Sequence, residues 1–103
     1  MPIEEIIKNF AIDVEGEEEE EENILIFTLS TCQWCKKCKR FLNEKKMKYR
    51  YIDVDKIDPK DKATILNHLK STYQSRISYP FFVCESGHVS GYNPNKYMEL
   101  LKK

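Results

Sequence analysis

The sequence lacks any apolar run of the roughly 18 to 20 residues that a membrane-spanning helix needs. Its N-terminus also lacks the basic stretch followed by an apolar stretch that marks a secretory signal peptide. With 103 residues, the chain is long enough for one domain with its own hydrophobic core and too short for two. These absences predict a single cytoplasmic domain with no membrane partner.

The chain also has no net charge, but its charges are separated along the sequence. Residues 1–23 hold ten acidic residues and one base, which leaves sixteen bases and seven acids for residues 24–103. The acidic run over 15–22 repels itself, and we expect a solvated linker there. The sequence therefore divides into an amphipathic helix with an acidic linker over 1–22 and a basic domain over 23–103. We expect no nucleic-acid partner.

Hydrophobic periodicity predicts four helices and four strands. Apolar residues at i, i+3, i+4 and i+7 near the N-terminus indicate the first helix. A continuous apolar run indicates the first strand and is typical of a strand buried on both faces. Ser30 and Thr31 are candidate caps for the second helix, and Asn93 for the last. The first two strands should be parallel because a helix joins them, and the last two should form a hairpin. The predicted elements are a helix at Ile3–Phe10, strands at 24–29, 48–54, 81–84 and 88–90, and helices after Thr31, at 59–73 and from Pro94.

Two cysteines carry the chemistry that the sequence indicates. In a reducing compartment, three cysteines within seven residues, as in Cys32, Cys35 and Cys38, are more often catalytic or metal-binding than structural. Cys32 is expected where the second helix begins, and unpaired backbone N–H groups and the helix dipole make its thiolate accessible near neutral pH. Cys35 lies one turn on, close enough to form a disulfide with Cys32 and release a bound substrate. The pair therefore predicts thiol–disulfide exchange.

The same cysteines allow a non-enzymatic interpretation. With Cys84 as a distant fourth ligand, the Cys-x-x-Cys-x-x-Cys run can hold zinc or an iron–sulfur cluster. Such sites usually draw on two knuckles or hairpins that each carry ligands, whereas His88 is the only cysteine or histidine near Cys84 in the sequence. We expect Cys38 and Cys84 to be small core residues instead. A secondary redox role stays open for Cys38, because it stands three residues after Cys35.

Four bases follow the cysteine pair, namely Lys36, Lys37, Lys39 and Arg40. They should favour the Cys32 thiolate, and as an exposed surface they should steer the reactive end toward an acidic partner. The alternative is a solvated helix face with no partner.

Tyr79-Pro80 precedes a strand that must pair on both sides, where a trans proline is awkward. A cis bond there would leave the Tyr79 backbone free to pair with an incoming peptide or thiol compound. With Cys32-x-x-Cys35 after one strand, Tyr79-Pro80 before another and Gly91 ahead of the final helix, the sequence resembles the glutaredoxin family over about residues 23–101.

The segment Ser-Gly-Tyr-Asn-Pro at 90–94 looks like the Ser-Gly-Phe-x-Pro stretch of the NrdH-redoxins, a glutaredoxin-like branch that reduces ribonucleotide reductase. The resemblance implies an α/β, thioredoxin-like fold with a four-stranded mixed sheet flanked by helices, to which the N-terminal helix is an addition. It implies that Cys32 is the nucleophile and Cys35 the resolving thiol, with a cis Pro80 shaping the substrate groove. The substrate-binding residues it implies are Thr31, Gln33, Trp34, Tyr79, Pro80, Gly91, Tyr92 and Asn93.

The expected function is that of a monomeric dithiol electron carrier that reduces protein disulfides without a resident cofactor. Its reductant is expected to be a thioredoxin-type or ferredoxin-linked reductase. Glutathione stays open as the reductant, although glutathione-using members usually carry Cys-Pro-Tyr-Cys and Gly-Gly-x-Asp. This chain has Cys-Gln-Trp-Cys at 32–35 and Ser-Gly-Tyr-Asn at 90–93 in those places.

Overall fold

Four helices and five strands make up the residues that the computed structural model describes, which are 3–14, 23–73 and 76–101. All predicted helices and strands are present there, whereas the predicted acidic linker over 15–22 lies outside the described residues. None of the described helices is both long and apolar enough to cross a membrane. The elements are α1 (Ile3–Phe10), β1 (Ile12–Val14), β2 (Leu25–Thr28), α2 (Gln33–Glu44), β3 (Tyr49–Asp53), α3 (Pro59–Tyr73), β4 (Phe81–Cys84), β5 (Gly87–Ser90) and α4 (Pro94–Leu101).

The strands form one mixed sheet in the order β1-β3-β2-β4-β5. As predicted, β2 and β3 are parallel, and β4 and β5 form an antiparallel hairpin. The predicted count of four strands is wrong, because β1 adds a fifth strand antiparallel to β3, with Ile12 opposite Tyr51 and Val14 opposite Tyr49. Three residues are too few to show an alternating pattern, and β1 has its partner far along the chain, so nothing local in the sequence marks it.

The sheet is covered by helices on both faces, and the side chains of β2 and of Ile24, the residue before it, divide between the two resulting cores. Ile24 and Ile26 face a core shared with α2 and α4, while Leu25 and Phe27 face a core shared with α1 and α3. All four are buried, which confirms the prediction of a strand buried on both faces. Burial of this kind fixes the position and direction of β2 and hence of the loop that follows it.

The N-terminal helix packs on this domain. Ile6 is fully buried in the same core as Ile65 and Leu69 of α3, and β1 continues from α1 directly into the sheet. Residues 3–14 therefore share both a hydrophobic core and a sheet with the remainder of the described chain.

The register of the sheet brings three loops to one end. Phe27, near the end of β2, lies opposite Phe81 at the start of β4, and Phe81 lies opposite Ser90 at the end of β5. Consequently the loop after β2, the Tyr79-Pro80 segment before β4 and Gly91 after β5 all lie at the same end of the sheet. This end holds the candidate site.

Candidate active site

Cys32 is the N-cap residue of α2. Its backbone is extended, and its sulfur accepts a hydrogen bond of 3.1 Å from the backbone N–H of Cys35. The prediction that Ser30 or Thr31 caps this helix is wrong, because both lie in the turn closed by the bond from the Cys32 N–H to the Leu29 carbonyl. The cap position thus gives the sulfur a hydrogen bond from one of the N–H groups that the helix end leaves unpaired.

Asp55, which follows β3, holds this turn in place. One of its carboxylate oxygens accepts the Ser30 backbone N–H at 2.9 Å, and the other accepts the Ser30 hydroxyl. The bond from the hydroxyl, followed by the bond from the N–H, lowers the pKa of Asp55. The carboxylate therefore stays charged at neutral pH and keeps both bonds to the residue two positions before Cys32.

The environments of the two paired thiols differ. Cys35 is fully buried, and this burial, followed by its hydrogen bond with Cys32, raises the pKa of the Cys35 thiol to about 12. Cys32 is half-buried and can be reached from solvent. At neutral pH Cys35 is therefore protonated and shielded, which supports Cys32 as the attacking sulfur and Cys35 as the resolving thiol.

The Tyr79-Pro80 segment forms one wall of the site. Its peptide bond is cis, as predicted. The Tyr79 carbonyl lies 3.9 Å from the Cys32 sulfur, close enough to accept a weak bond from the thiol. The Pro80 carbonyl accepts the Gly91 N–H at 2.9 Å. Four of the predicted site residues, from three separate loops, are thus brought together.

Trp34 and Tyr92 form a second, aromatic wall. Their ring centroids lie 5.9 Å apart, and the rings are tilted by 30°. Trp34 remains 55% exposed, and the Lys37 ammonium sits 4.4 Å above its ring, within cation–π distance. This pairing places an exposed apolar surface, carrying one positive charge, on the first turn of the Cys32 helix.

The remaining predicted site residues lie around these walls. Thr31 and Gln33 flank Cys32 and are exposed. Asn93 caps α4, as predicted, because its side-chain oxygen accepts the Lys96 N–H at 3.3 Å. Asn93 thus has its oxygen engaged by the helix, which leaves its amide group for any ligand in the groove.

Cys38 and Cys84 are both buried, which confirms them as core residues. Burial raises the pKa of the Cys38 thiol to about 12. Over the described residues, no three side chains of histidine, cysteine, aspartate or glutamate converge to hold a metal ion.

The basic surface predicted after the cysteine pair is smaller than expected. Lys36, Lys37 and Arg40 are exposed, but Lys39 is not part of that surface. Its ammonium forms an ion pair of 3.3 Å with Asp53 and lies 3.8 Å above the Tyr51 ring. Lys39 therefore connects α2 to β3.

Two surface clefts lie beside β1 and β3, lined in part by Ile7, Asp13 and Arg50. None of the predicted site residues lines either cleft. The candidate active site therefore lies away from both clefts, at the end of the sheet where the Cys32–Cys35 pair is found.

Comparison with known proteins places this arrangement in a family. The family model described as Glutaredoxin matches residues 24–77. Glutaredoxin 1 of Rickettsia bellii is 28% identical over 68 residues, which cover 66% of this chain and 67% of that protein. The crystal structure of a glutaredoxin from Methanosarcina mazei has a TM-score of 0.77 and 23% identity, with 91% of this chain and 89% of that chain covered. The glutaredoxin of Archaeoglobus fulgidus has a TM-score of 0.70 and 30% identity, with coverages of 81% and 89%.

A thioredoxin-like fold with a Cys-x-x-Cys pair at the start of a helix defines a thiol–disulfide oxidoreductase. Because the Glutaredoxin family model matches more than half of the residues of this chain, the chain belongs to the glutaredoxin family.

Sequence reasoning missed two residues that support the site. Asp55 gives no local signal, since its partner Ser30 lies 25 positions away. Tyr97 falls in the helix predicted from Pro94 and was given no role of its own, but its hydroxyl donates a hydrogen bond of 2.6 Å to the Gly91 carbonyl. The available signal was the residue type, because a tyrosine on a buried face carries a hydroxyl that needs a partner.

Proposed function

We propose that this chain is a dithiol electron carrier that reduces protein disulfides, with Cys32 as the attacking sulfur and Cys35 as the resolving one. The observation that carries the proposal is the asymmetry of the pair. The Cys32 sulfur is accessible and accepts a helix N–H at 3.1 Å, whereas the Cys35 sulfur is buried, with its pKa raised to about 12.

The reaction proceeds in two exchanges. The Cys32 thiolate attacks one sulfur of the client disulfide, so that a Cys32–client bond forms, the client disulfide breaks and one client sulfur leaves as a thiolate. Cys35 then loses its proton to solvent and attacks the Cys32 sulfur, so that a Cys32–Cys35 bond forms, the Cys32–client bond breaks and the second client sulfur leaves as a thiolate. The client has gained two electrons, its two thiolates take protons from water to give a dithiol, and the protein is left with a Cys32–Cys35 disulfide.

The two walls of the site suit an extended peptide. The Tyr79 carbonyl next to Cys32 offers a backbone acceptor to a client strand, and Trp34 with Tyr92 offers an apolar surface to its side chains. Contacts to client backbone and to apolar side chains favour proteins over small disulfides as substrates.

A further exchange, with a reductant, returns the protein to its dithiol form. We favour a thioredoxin-type or ferredoxin-linked reductase as this reductant, in a reducing cytoplasm, with the chain acting as a monomer. We assign the chain to the NrdH-redoxin-like branch, because Ser-Gly-Tyr-Asn-Pro at 90–94 is similar to the Ser-Gly-Phe-x-Pro stretch of that branch. Glutathione is the second candidate reductant, and membership of the glutaredoxin family supports it.

Turnover assays with a disulfide-bonded peptide test the proposal and separate the reductants. One arm supplies glutathione with its reductase, another a thioredoxin-type reductase, and a third dithiothreitol as an enzyme-free donor. We expect turnover with dithiothreitol and the thioredoxin-type reductase, total loss in Cys32→Ser, and little change in the matched control Cys84→Ser. Absence of turnover in every arm would overturn the function, and colour in protein purified without oxygen would point to an iron–sulfur module instead.

A further inference from the structure

The Tyr97 hydroxyl is buried in the centre of the core between β4, α2 and α4. The side chain is fully buried, and its ring stacks on Phe82 with centroids 4.3 Å apart. A phenylalanine would supply the same ring packing without the cost of burying a polar group. The hydroxyl therefore needs an explanation beyond packing.

That hydroxyl takes part in a short chain of hydrogen bonds. It donates to the Gly91 carbonyl at 2.6 Å and accepts from the Cys38 thiol at 3.8 Å. Cys38 lies one helical turn after Cys35, so the chain runs from the helix of the redox pair, through α4, to the loop after β5. The length of the Tyr97–Gly91 bond lies within the normal range of O–H···O hydrogen bonds.

Gly91 is held from both sides. Its N–H donates to the Pro80 carbonyl at 2.9 Å, and its carbonyl accepts from Tyr97. With a φ of +90°, its backbone has a conformation that other residues rarely adopt. A backbone with this freedom needs external bonds to keep one conformation, and these two bonds supply them.

The wall of the groove follows directly from this anchored glycine. Tyr92 is the next residue, and its ring lies 5.9 Å from Trp34 and 6.3 Å, edge-on, from Tyr97. The position of the Tyr92 ring beside Trp34 thus depends on the orientation of the Gly91 peptide.

We propose that Tyr97 is a positioning residue for client binding, which acts by holding the Gly91 carbonyl so that Tyr92 stays against Trp34. The proposal rests on the proposed function, since it assigns a substrate-binding role to that groove. Tyr97 does not touch the client or either sulfur of the redox pair. Its loss should weaken client binding and leave the thiol chemistry of Cys32 unchanged.

The test compares Tyr97→Phe with the matched control Tyr49→Phe. Tyr49 is also a buried tyrosine with a hydrogen-bonded hydroxyl, but its partner is Asn43, near the end of α2 remote from Cys32. Each variant is assayed with a disulfide-bonded peptide and dithiothreitol as donor, and separately with the small disulfide of 2-mercaptoethanol. The rate of alkylation by iodoacetamide reports on the Cys32 thiolate.

For Tyr97→Phe we expect the KM for the peptide to rise five- to tenfold, with kcat, alkylation rate and turnover of the small disulfide all within twofold of the parent. Tyr49→Phe should leave all four quantities unchanged. In the background of Tyr92→Ala, Tyr97→Phe should add nothing to the raised KM, because the two residues act through the same wall.

Equal KM values for parent and Tyr97→Phe would overturn the inference. A rise in KM accompanied by parallel falls in kcat and alkylation rate would overturn it too, because that result indicates a general disturbance of the fold. Full additivity with Tyr92→Ala would overturn it as well. Failure of the parent itself to reduce the peptide would instead refute the proposed function, so the two results are distinguishable.

Discussion

The backbone N–H of Cys35 donates a hydrogen bond to the Cys32 sulfur at 3.1 Å, while the sulfur of Cys35 itself is buried. One residue thus stabilises the attacking sulfur with its backbone and keeps its own thiol protonated through burial. The two steps of exchange accordingly have different requirements: the first needs access to Cys32, and the second needs deprotonation of Cys35.

The resolving step should depend strongly on pH. Since burial raises the pKa of Cys35 to about 12, only a small fraction is thiolate at neutral pH, and that fraction rises about tenfold per pH unit. We expect release of thionitrobenzoate from its mixed disulfide with Cys32 to accelerate about tenfold per unit between pH 6 and 9. Stopped-flow absorbance measures this release. Cys35→Ser is the control without release, and a rate that levels off near pH 7 would contradict the account.

The folded state should lose stability at alkaline pH. Burial raises the pKa of both Cys38 and Tyr49 to about 12, whereas unfolded cysteine and tyrosine titrate near 8.5 and 10. Above those lower values the native state holds more protons than the unfolded state, so the free energy of unfolding falls as pH rises. Urea unfolding from pH 8 to 11 measures the slope. Cys38→Ala and Tyr49→Phe should each make it shallower, and an unchanged slope in both would refute this explanation.

The exposed bases should speed encounters with acidic clients. The double variant Lys36→Gln/Arg40→Gln should slow reduction of an acidic disulfide peptide by up to about tenfold at low salt. The difference should vanish at high salt, because exposed charges are screened beyond about 10 Å at 0.1 M. Lys60→Gln/Lys70→Gln, on α3, is a matched control of equal charge change at exposed positions. Equal rates for both double variants at all salt concentrations would mean that the exposed bases of α2 form a solvated helix face with no steering role.

Lys39→Gln should act differently from its neighbours. Because this side chain pairs with Asp53 and covers the Tyr51 ring, its replacement should lower the melting temperature and leave the salt dependence of the rate unchanged. Thermal unfolding and the same peptide assay measure the two effects. If the salt dependence of the rate changed and the melting temperature did not, Lys39 would belong with the exposed bases that steer acidic clients.

The reduction potential of the Cys32–Cys35 pair should lie between those of glutaredoxins and thioredoxin, at about −200 to −270 mV. The hydrogen bond that the Cys32 sulfur accepts from the Cys35 N–H stabilises the dithiol form and raises the potential. Equilibration with glutathione or dithiothreitol buffers measures it. A value below about −300 mV, in the range of structural disulfides, would rule out a carrier.

The sequence predicted elements where local signals agree. Pro59 begins α3, and the apolar run from Phe81 to Cys84 forms β4 with the predicted bounds, because a proline at a helix start and a buried strand are both marked by neighbouring residues. The redox pair was predicted for the same reason, since its spacing and its place after β2 are local features.

Features made by distant partners were missed or misassigned. Ser30 was expected to cap α2, yet it bonds to Asp55, 25 positions away, and a cysteine takes the cap position. Lys39 was grouped with its neighbours, because its pairing with Asp53 depends on which face of α2 packs against β3. Such contacts require the relative placement of elements, which no local pattern contains.

Trapping a client on Cys35→Ser identifies the attacking sulfur. This variant, mixed with a disulfide-bonded peptide, should accumulate a mixed disulfide whose mass spectrum places the peptide on Cys32, because the resolving sulfur is absent. Cys32→Ser should trap little or nothing, since Cys35 is buried and protonated. We predict a single adduct, at Cys32. An adduct at Cys35 that forms at the same rate in Cys32→Ser would show instead that Cys35 can attack the client.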